Sequence, residues 1–208
     1  APDGRRIMIG WMQNWDTCNA STAERPWFGQ MSLPRELSVK NGRLYQKPIR
    51  ELEALRSNKV EHQDVTFSGN ITLDGVKGRR VDMELEIRPG DAENVYRKFA
   101  VRFAQNDQFY TALSFHPGDS VMKIDRKFSG SRRALIHQRR ALVNSENGKL
   151  KLRIILDRFS AEVFVNDGEQ VITATLYTDQ AADGISFLAT GSVNMDVVKY
   201  DLSGDENR

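Results

Sequence analysis

The carboxylates of this chain are the first candidates for chemistry, because two of them at one site can act as a general acid and as a nucleophile or base. Asp82, Glu84 and Glu86 alternate with apolar residues, which is typical of the solvent-facing side of a β-strand. Asp125 and Glu162 differ, because each ends or crosses a predicted strand beside a turn. We interpret these two as members of surface ion pairs, and direct contact with a substrate is the alternative for both.

Cofactor chemistry finds no support in the sequence. His62, His116 and His137 are scattered, and none has the spacing of a helical metal site or lies near a nucleophilic serine motif. Cys18 is the only cysteine, so neither an intrachain disulfide nor a cysteine-based metal site can form. No glycine-rich loop of the type that binds phosphate precedes a predicted helix. We therefore predict no metal and no cofactor.

The three tryptophans, Trp11, Trp15 and Trp27, all lie near the start of the chain. Flat aromatic rings stack on the apolar faces of sugars while neighbouring polar groups, here Asn14, bind the hydroxyls. The alternative is a hydrophobic core, which we favour for Trp11 because it lies within the predicted strand 7–12. Trp15 and Trp27 lie in or beside a polar loop, where both interpretations stay open.

Strands rather than helices must position most of these side chains. From about Val60 onward the pattern has period two, and it is clearest where apolar residues alternate with charged ones at Val81, Met83, Leu85 and Ile87. Such a strand buries one face and exposes the other. Turn pairs such as Pro-Gly, Asn-Gly and Asp-Gly recur at intervals typical of antiparallel sandwiches. We predict an all-β fold, an antiparallel β-sandwich, whose last two strands span 185–188 and 193–200.

The first part of the chain is organised differently. Asn41-Gly42 between two short apolar stretches predicts a β-hairpin. Pro48 is followed by Ile49, Leu52 and Leu55 at three-residue spacing, which predicts a short amphipathic helix over 48–56. This helix would connect the hairpin to the sandwich.

Composition narrows the class of protein. The chain has 208 residues, of which 39% are apolar and 28% charged, so it can bury a substantial core. A net charge of +2 gives no reason to expect nucleic acid or an anionic membrane as a partner. The basic stretch 131–140 is interleaved with apolar residues, and we interpret it as a solvated strand face. No apolar run reaches the length of a membrane-spanning helix, and the localisation stays open.

Two stretches carry a resemblance to a known family. Residues 4–15 read Gly-Arg-Arg-Ile-Met-Ile-Gly-Trp-Met-Gln-Asn-Trp and are continued by 27–37, and residues 160–169 read Ser-Ala-Glu-Val-Phe-Val-Asn-Asp-Gly-Glu. On these stretches the chain resembles glycoside hydrolase family 32, the β-fructofuranosidases that include invertases, levanases and exo-inulinases. That family joins an N-terminal five-bladed β-propeller, which holds the active site, to a C-terminal β-sandwich of the concanavalin or lectin type.

The resemblance implies a division of the chain. Residues 1–47 would end the last propeller blade, 48–56 would form the linker helix, 57–202 the sandwich and 203–208 a frayed tail. The family's catalytic residues lie in Trp-Met-Asn-Asp-Pro, Arg-Asp-Pro and Glu-Cys motifs, none of which occurs here. We therefore assign no catalytic residue to this chain, and the N-terminal propeller would be its partner.

Two hypotheses about function follow from the resemblance. The leading one is the C-terminal part of a fructan- or sucrose-hydrolysing enzyme, in which Asn14, Trp15 and Trp27 line the sugar pocket. The alternative is a fructan-binding module, in which charged side chains of the sandwich bind fructose hydroxyls. The candidates for that role are Asp125, Arg126 and Glu162.

Overall fold

The computed structural model describes residues 1–12, 29–91, 93–130 and 137–203, which fold into two antiparallel β-sheets. The first sheet contains β1 (Arg6–Met8), β2 (Arg35–Lys40) and β3 (Arg43–Pro48), in that order. Asn41 and Gly42 connect β2 to β3 with φ values of 50° and 73°, the left-handed geometry that an Asn-Gly turn provides. The predicted hairpin is therefore confirmed.

The second sheet has ten strands and contains most of the chain. These strands are β4 (Arg56–Ile71), β5 (Val81–Pro89), β6 (Lys98–Gln105), β7 (Thr111–His116), β8 (Val121–Asp125), β9 (Gln138–Leu142), β10 (Leu150–Asp157), β11 (Ser160–Val165), β12 (Gln170–Thr175) and β13 (Gly184–Leu202). Their order is β12-β11-β10-β5-β13-β6-β7-β8-β9, and β4 also pairs with β13.

The long strand β13 divides this sheet into two layers. Its residues 184–190 pair with β6, whereas residues 193–201 pair with β5 on the same side. The pairing with β4 is interrupted between Ala189 and Val193, where the strand passes from one layer to the other. Strands β5, β10, β11 and β12 therefore form one layer, the front layer, and β6 to β9 form the other, the back layer.

The main hydrophobic core lies between the two layers. Val81, Met83, Leu85 and Ile87 of β5 are all buried in it, as their alternation predicts. Phenylalanines of the back layer and of β13 fill the opposite side: Phe99, Phe103, Phe115 and Phe187. This arrangement confirms the predicted antiparallel β-sandwich.

The linker helix differs from the prediction in type and extent. It is a 3₁₀ helix over Arg50–Leu55, and Pro48 is the last residue of β3 rather than the start of the helix. The spacing of three between Ile49, Leu52 and Leu55 matches the three residues per turn of a 3₁₀ helix better than the 3.6 of an α-helix.

Two strand predictions need correction. The chain forms the single strand β13 where two strands, 185–188 and 193–200, were expected, because one long bent strand serves both layers. The predicted strand 7–12 is regular only over Arg6–Met8. Most of the predicted frayed tail and residues 131–136 of the basic stretch lie outside the described residues.

Gly168 lies where the sandwich comes close to the backbone of the first sheet. Its φ is 93°, and an added Cβ would lie 2.0 Å from the backbone oxygen of Gln46 in β3. We expect Gly168→Ala to lower the free energy of unfolding by about 2 to 3 kcal/mol, because it adds backbone strain and a clash with backbone atoms. Urea unfolding of the purified chain measures this change.

Gly118→Ala is the matched control, since a Cβ at Gly118 meets no atom within 4 Å. It should change the free energy of unfolding by no more than about 0.5 kcal/mol. Equal unfolding midpoints for the two variants would contradict the close approach at Gly168.

Candidate functional site

The tryptophan-rich segment is described only at its ends. Asn14, Trp15 and Trp27 lie outside the described residues, so their contact with a sugar stays a prediction. Trp11 forms a single β-bridge with Met31 and is 45% exposed. The prediction that Trp11 lies in a hydrophobic core is therefore wrong, because the residue lies beyond the end of β1, where its ring is open to solvent.

The three charged candidates of the sandwich lie in different places. Glu162 is in the middle of β11 and only 1% exposed, so the expected surface ion pair is wrong for this residue. Asp125 ends β8 in the back layer and is partly exposed. Arg126 is buried, and its Nη1 donates to the backbone oxygen and the hydroxyl of Thr175, at 3.1 and 2.7 Å. These residues do not form one common site.

Glu162 forms a buried ion pair with Arg35 of β2, and this pair joins the two sheets. Arg35 Nε donates to Glu162 Oε2 at 2.9 Å, and Nη2 contacts the same oxygen. The other carboxylate oxygen accepts the backbone N–H of Leu33 at 2.5 Å. Arg35 also donates to Gln46 at 3.0 Å and to the Thr173 hydroxyl at 2.6 Å. All three guanidinium nitrogens and both carboxylate oxygens thus have partners, as a stable buried pair requires.

Both faces of strand β11 are covered by other parts of the chain, so Glu162 on its outer face is buried. Its residues alternate between the main core and the first sheet, and all six are buried. On the side of the first sheet, Phe164 packs with Leu52 of the 3₁₀ helix and Ile155 of β10 in a second apolar cluster. The Arg35 guanidinium lies 5.5 Å from the centre of the Phe164 ring. The charges therefore lie in a partly apolar interface, where solvent screens them little.

Asp82 forms a second buried network at this interface. It accepts hydrogen bonds from Arg56 Nε at 2.8 Å and from Arg153 Nε and Nη2 at 2.9 and 2.7 Å. Burial lowers the pKa of Arg56, but its hydrogen bonds to Asp82 and Glu84 outweigh this effect and raise the pKa above its usual value. The prediction that Asp82 faces water is wrong, because these two arginines cover its carboxylate.

At the solvent edge of the interface, Arg5 connects the first turn of the chain to the 3₁₀ helix. Its guanidinium lies 2.5 Å from Glu51, 2.7 Å from Glu36 and 2.6 Å from Asp3. The hydrogen bonds from Arg5 are the main reason that the pKa of Glu51 falls from 4.5 to about 2. The hydrogen bond to Glu51, followed by the one to Glu36, raises the pKa of Arg5 above its usual value. This edge is held by exposed charges rather than by burial.

The interface offers contacts that stabilise rather than groups that catalyse. Asp82 and Glu162 are bound by arginines and closed to solvent, so neither can reach a substrate as an acid, base or nucleophile. The described residues contain no group of three or more side chains that could hold a metal ion. Within the same residues, no helix is long and apolar enough to cross a membrane.

The fold is an antiparallel β-sandwich with a small β-sheet held on its outside by buried charges. Comparisons with known proteins identify the family. The model described as Glycosyl hydrolases family 32 C terminal matches residues 51–203. The model described as Glycosyl hydrolases family 32 N-terminal domain matches residues 1–48. The chain belongs to glycosyl hydrolase family 32, as the resemblance predicted.

Curated relatives agree with this assignment. A levanase of Bacillus sp. (strain L7) is 35% identical over 203 residues, which cover 91% of this chain and 21% of the relative. A sucrose-6-phosphate hydrolase of Staphylococcus xylosus is 32% identical over 206 residues, which cover 98% of this chain and 40% of the relative. The chain therefore spans between about a fifth and two fifths of the length of these relatives.

Solved structures agree on the fold. An exo-inulinase from Aspergillus awamori has a TM-score of 0.78 at 21% identity, covering 95% of this chain and 40% of that one. A fructan 1-exohydrolase IIa from Cichorium intybus has a TM-score of 0.79 at 18% identity, covering 98% of this chain and 46% of that one. Because the N-terminal domain model also matches residues 1–48, an isolated fructan-binding module is not favoured as the function of this chain.

Sequence reasoning missed most of the residues that hold this interface. Glu162 was singled out, but its partner Arg35 lies 127 residues away and no local pattern marks it. Arg56 and Arg153 likewise read as ordinary charged residues of strands. The one available signal was β11 itself, whose six residues include a single charge between apolar neighbours.

The buried pair predicts a large effect of removing one charge. Glu162→Gln should lower the free energy of unfolding by about 3 kcal/mol, because it leaves the Arg35 guanidinium buried without a counter-charge. The control is Glu61→Gln, which breaks the exposed pair with Lys59 and should leave the unfolding midpoint nearly unchanged, because solvent screens exposed pairs. Urea unfolding compares the two. The idea fails if Glu162→Gln and Glu61→Gln unfold at the same midpoint.

The Arg5 network predicts a pH dependence of stability. The pKa of Glu51 is about 2 in the folded chain and 4.5 in its ordinary state, so its stabilising effect is fully present above about pH 4.5 and is lost as the pH falls toward 2. Glu51→Gln should therefore lower the melting temperature at pH 7 but not near pH 2. Raising the salt concentration should shrink the difference at pH 7, because the network is exposed. A difference that is independent of pH would contradict this account.

Proposed function

We propose that this chain is the C-terminal part of an enzyme that hydrolyses fructans or sucrose-type sugars. Residues 1–47 would complete the catalytic β-propeller, 48–56 would link it to the sandwich, and 57–202 would form the sandwich. The role of the chain is to hold the propeller in a fixed position rather than to supply the reacting groups. The relatives named levanase and sucrose-6-phosphate hydrolase support this class of substrate.

The Arg35–Glu162 ion pair is the observation that carries this proposal. Arg35 lies in the part that the N-terminal family model matches, and Glu162 lies in the part that the C-terminal model matches. A buried pair with complete hydrogen bonding fixes the relative position of the two strands that carry it, because displacing either strand leaves a charge unpaired. Such a connection suits a sandwich that supports an active site on its neighbour.

Exposed apolar side chains near the first sheet support contact with the rest of a propeller. Ile9, Trp11 and Met31 are large and exposed, and Trp11 pairs with Met31. Grouped exposed residues of this kind commonly mark contact surfaces. The N-terminal propeller is the proposed partner that covers them.

The proposed substrate contacts of this chain are Asn14, Trp15 and Trp27. They belong to the segment between Met12 and Gln30, whose ends are joined by a hydrogen bond from the Met12 N–H to the Gln30 oxygen at 2.9 Å. Gln30 Nε2 in turn donates to the backbone oxygen of Phe159 in the sandwich, at 3.1 Å. The sandwich thus anchors the base of the segment that carries the proposed contacts.

Activity measurements test the proposal. The chain alone should fold yet release no fructose from sucrose, levan or inulin, whereas the protein with its propeller should release fructose from at least one of them. In that longer protein, Trp15→Ala should lower kcat/KM by about tenfold through loss of ring stacking. Val39→Ala, at an exposed position of β2, is the control and should leave kcat/KM unchanged.

Two outcomes would count against the proposal. Fructose release by the chain alone that a substitution within this chain abolishes would place the chemistry here. Failure of the longer protein to cleave any of the three sugars would remove the assigned class of substrate.

A further inference from the structure

The outer face of the back layer lies on the opposite side of the main core from the first sheet. On β7, Leu113 and Phe115 belong to the core, so Ala112, Ser114 and His116 lie on the outer face. The two side chains of a directly opposite cross-strand pair lie on the same face of a sheet. The strand register therefore identifies the other side chains of this outer face.

Four cationic side chains lie on this face. Arg102 of β6 is directly opposite Ala112, and the alternation of β6 places Lys98 on the same side. The residues on either side of Lys123 in β8 belong to the core, so Lys123 points outward. Arg140 of β9 is directly opposite Lys123. We name this surface the basic face and define it by Lys98, Arg102, Lys123 and Arg140.

Negative charge on the basic face is scarce. Strands β6 to β9 contain a single acidic residue, Asp125, which lies 3.3 Å from Lys123 Nζ. Within the part of the chain that the structure describes, Lys98, Arg102 and Arg140 have no carboxylate partner. The basic face therefore carries four positive charges against one negative charge.

The direct pairing of Lys123 with Arg140 costs stability when no anion is bound. Like charges directly opposite each other destabilise an antiparallel pair of strands. Asp125 lies close to Lys123, but Arg140 Nη2 donates to the neutral amide oxygen of Gln138, at 3.1 Å. An anion over β8 and β9 would remove this repulsion.

The imidazole of His116 senses the charge of the basic face. Its pKa lies below the usual value, and burial is the largest cause. Lys98 and Lys123 lower this pKa further, whereas Asp119 in the turn after β7 raises it. Two cations thus act against one anion around His116, which favours a negatively charged partner at this surface.

Large apolar side chains accompany the cations. Leu142 of β9 is 73% exposed and lies directly opposite Val121, an outward residue of β8. Phe128 is 49% exposed, and its ring centre lies 5.4 Å from that of Tyr110. The Arg102 guanidinium lies 4.4 Å from the centre of the Tyr110 ring, which places both rings beside the basic face.

We propose that the basic face is a contact surface for an anionic lipid bilayer. Such a bilayer is broad and flat, presents negative headgroups to Lys and Arg, and accepts exposed Phe and Leu side chains at its interface. A soluble polyanion would neutralise the same cations but would leave Phe128 and Leu142 in water. The net charge of the whole chain is only +2, because acidic residues elsewhere offset the basic face.

This contact goes beyond the proposed function and is independent of it. The first sheet covers Glu162 and Phe164 of the front layer, on the other side of the core. A bilayer on the basic face therefore does not compete with the first sheet. Hydrolysis of a sugar plays no part in its test.

Vesicle sedimentation with the purified chain tests the proposal. Vesicles of equal parts phosphatidylglycerol and phosphatidylcholine should bind the chain at low salt, whereas vesicles of phosphatidylcholine alone should not. Each Lys or Arg near an anionic surface strengthens binding by about fivefold, so binding should be measurable at about 1 mM lipid. Salt at about 1 M should release the chain, because it screens exposed charges.

A double variant tests the role of the cations. Lys123→Gln combined with Arg140→Gln should lower the affinity for anionic vesicles by about tenfold to thirtyfold. The matched control combines Lys40→Gln with Arg43→Gln, which removes another directly opposite Lys–Arg pair, in the first sheet. It changes the charge of the whole chain equally and should retain the affinity.

A second variant distinguishes a bilayer from a soluble polyanion. Phe128→Ala should lower the affinity for anionic vesicles by about threefold, because the bilayer interface no longer covers the ring. It should leave any binding of linear inorganic polyphosphate unchanged. Leu44→Ala is the control, since Leu44 is 50% exposed and lies in the first sheet. An unchanged urea midpoint of each variant separates a lost contact from lost folding.

Several results would overturn the proposal. Absence of binding to anionic vesicles at low salt would do so, as would equal binding to neutral vesicles. Equal losses in the two double variants would show that only the charge of the whole chain matters. Equal vesicle affinities of Phe128→Ala and Leu44→Ala, together with binding of polyphosphate, would assign the basic face to a soluble polyanion instead.

Discussion

The burial of two opposite charges between the first sheet and the sandwich is the constraint on which the rest of this structure depends. Arg35 and Glu162 are removed from water, and this loss of solvation is offset only when every donor and acceptor of the pair has a partner. The two sheets therefore have one relative position in which the pair is satisfied. The contact of Gly168 with the backbone of Gln46 requires the same position. As a consequence, Glu162 and Phe164 on the outer face of the front layer are buried beneath the first sheet.

Strand β13 then determines which surface stays open. β13 continues from the front layer into the back layer. The outer face of the front layer, which contacts the first sheet, and the free outer face of the back layer therefore have a fixed relative position. The alternation that places Leu113 and Phe115 in the core places Ala112 and Ser114 on the free face. The front layer thus holds the first sheet, whereas the back layer presents polar groups to solvent.

Predictions from the sequence were better for the fold than for the site. The Asn41-Gly42 hairpin and the sandwich follow from turn chemistry and period-two alternation, and both are present. The same alternation assigned Asp82 to water, because it identifies the outer face of a strand but not what covers that face. Asp125 and Arg126 are adjacent in sequence, yet consecutive residues point in opposite directions, so Arg126 reaches Thr175 while Asp125 lies beside Ala112 on the outer face of the back layer.

The sequence by itself determined the all-β class, the hairpin, the position of most strands and the resemblance to family 32. These properties depend on residues only a few positions apart, so a short stretch of the sequence is enough to predict them. Only the tertiary structure decided that Glu162 and Asp82 are buried, that the linker is a 3₁₀ helix and that small side chains lie between Arg102 and Asp125. The physical reason is that the burial of a charge depends on the segment that covers it, and for Glu162 that segment lies 127 residues earlier in the chain.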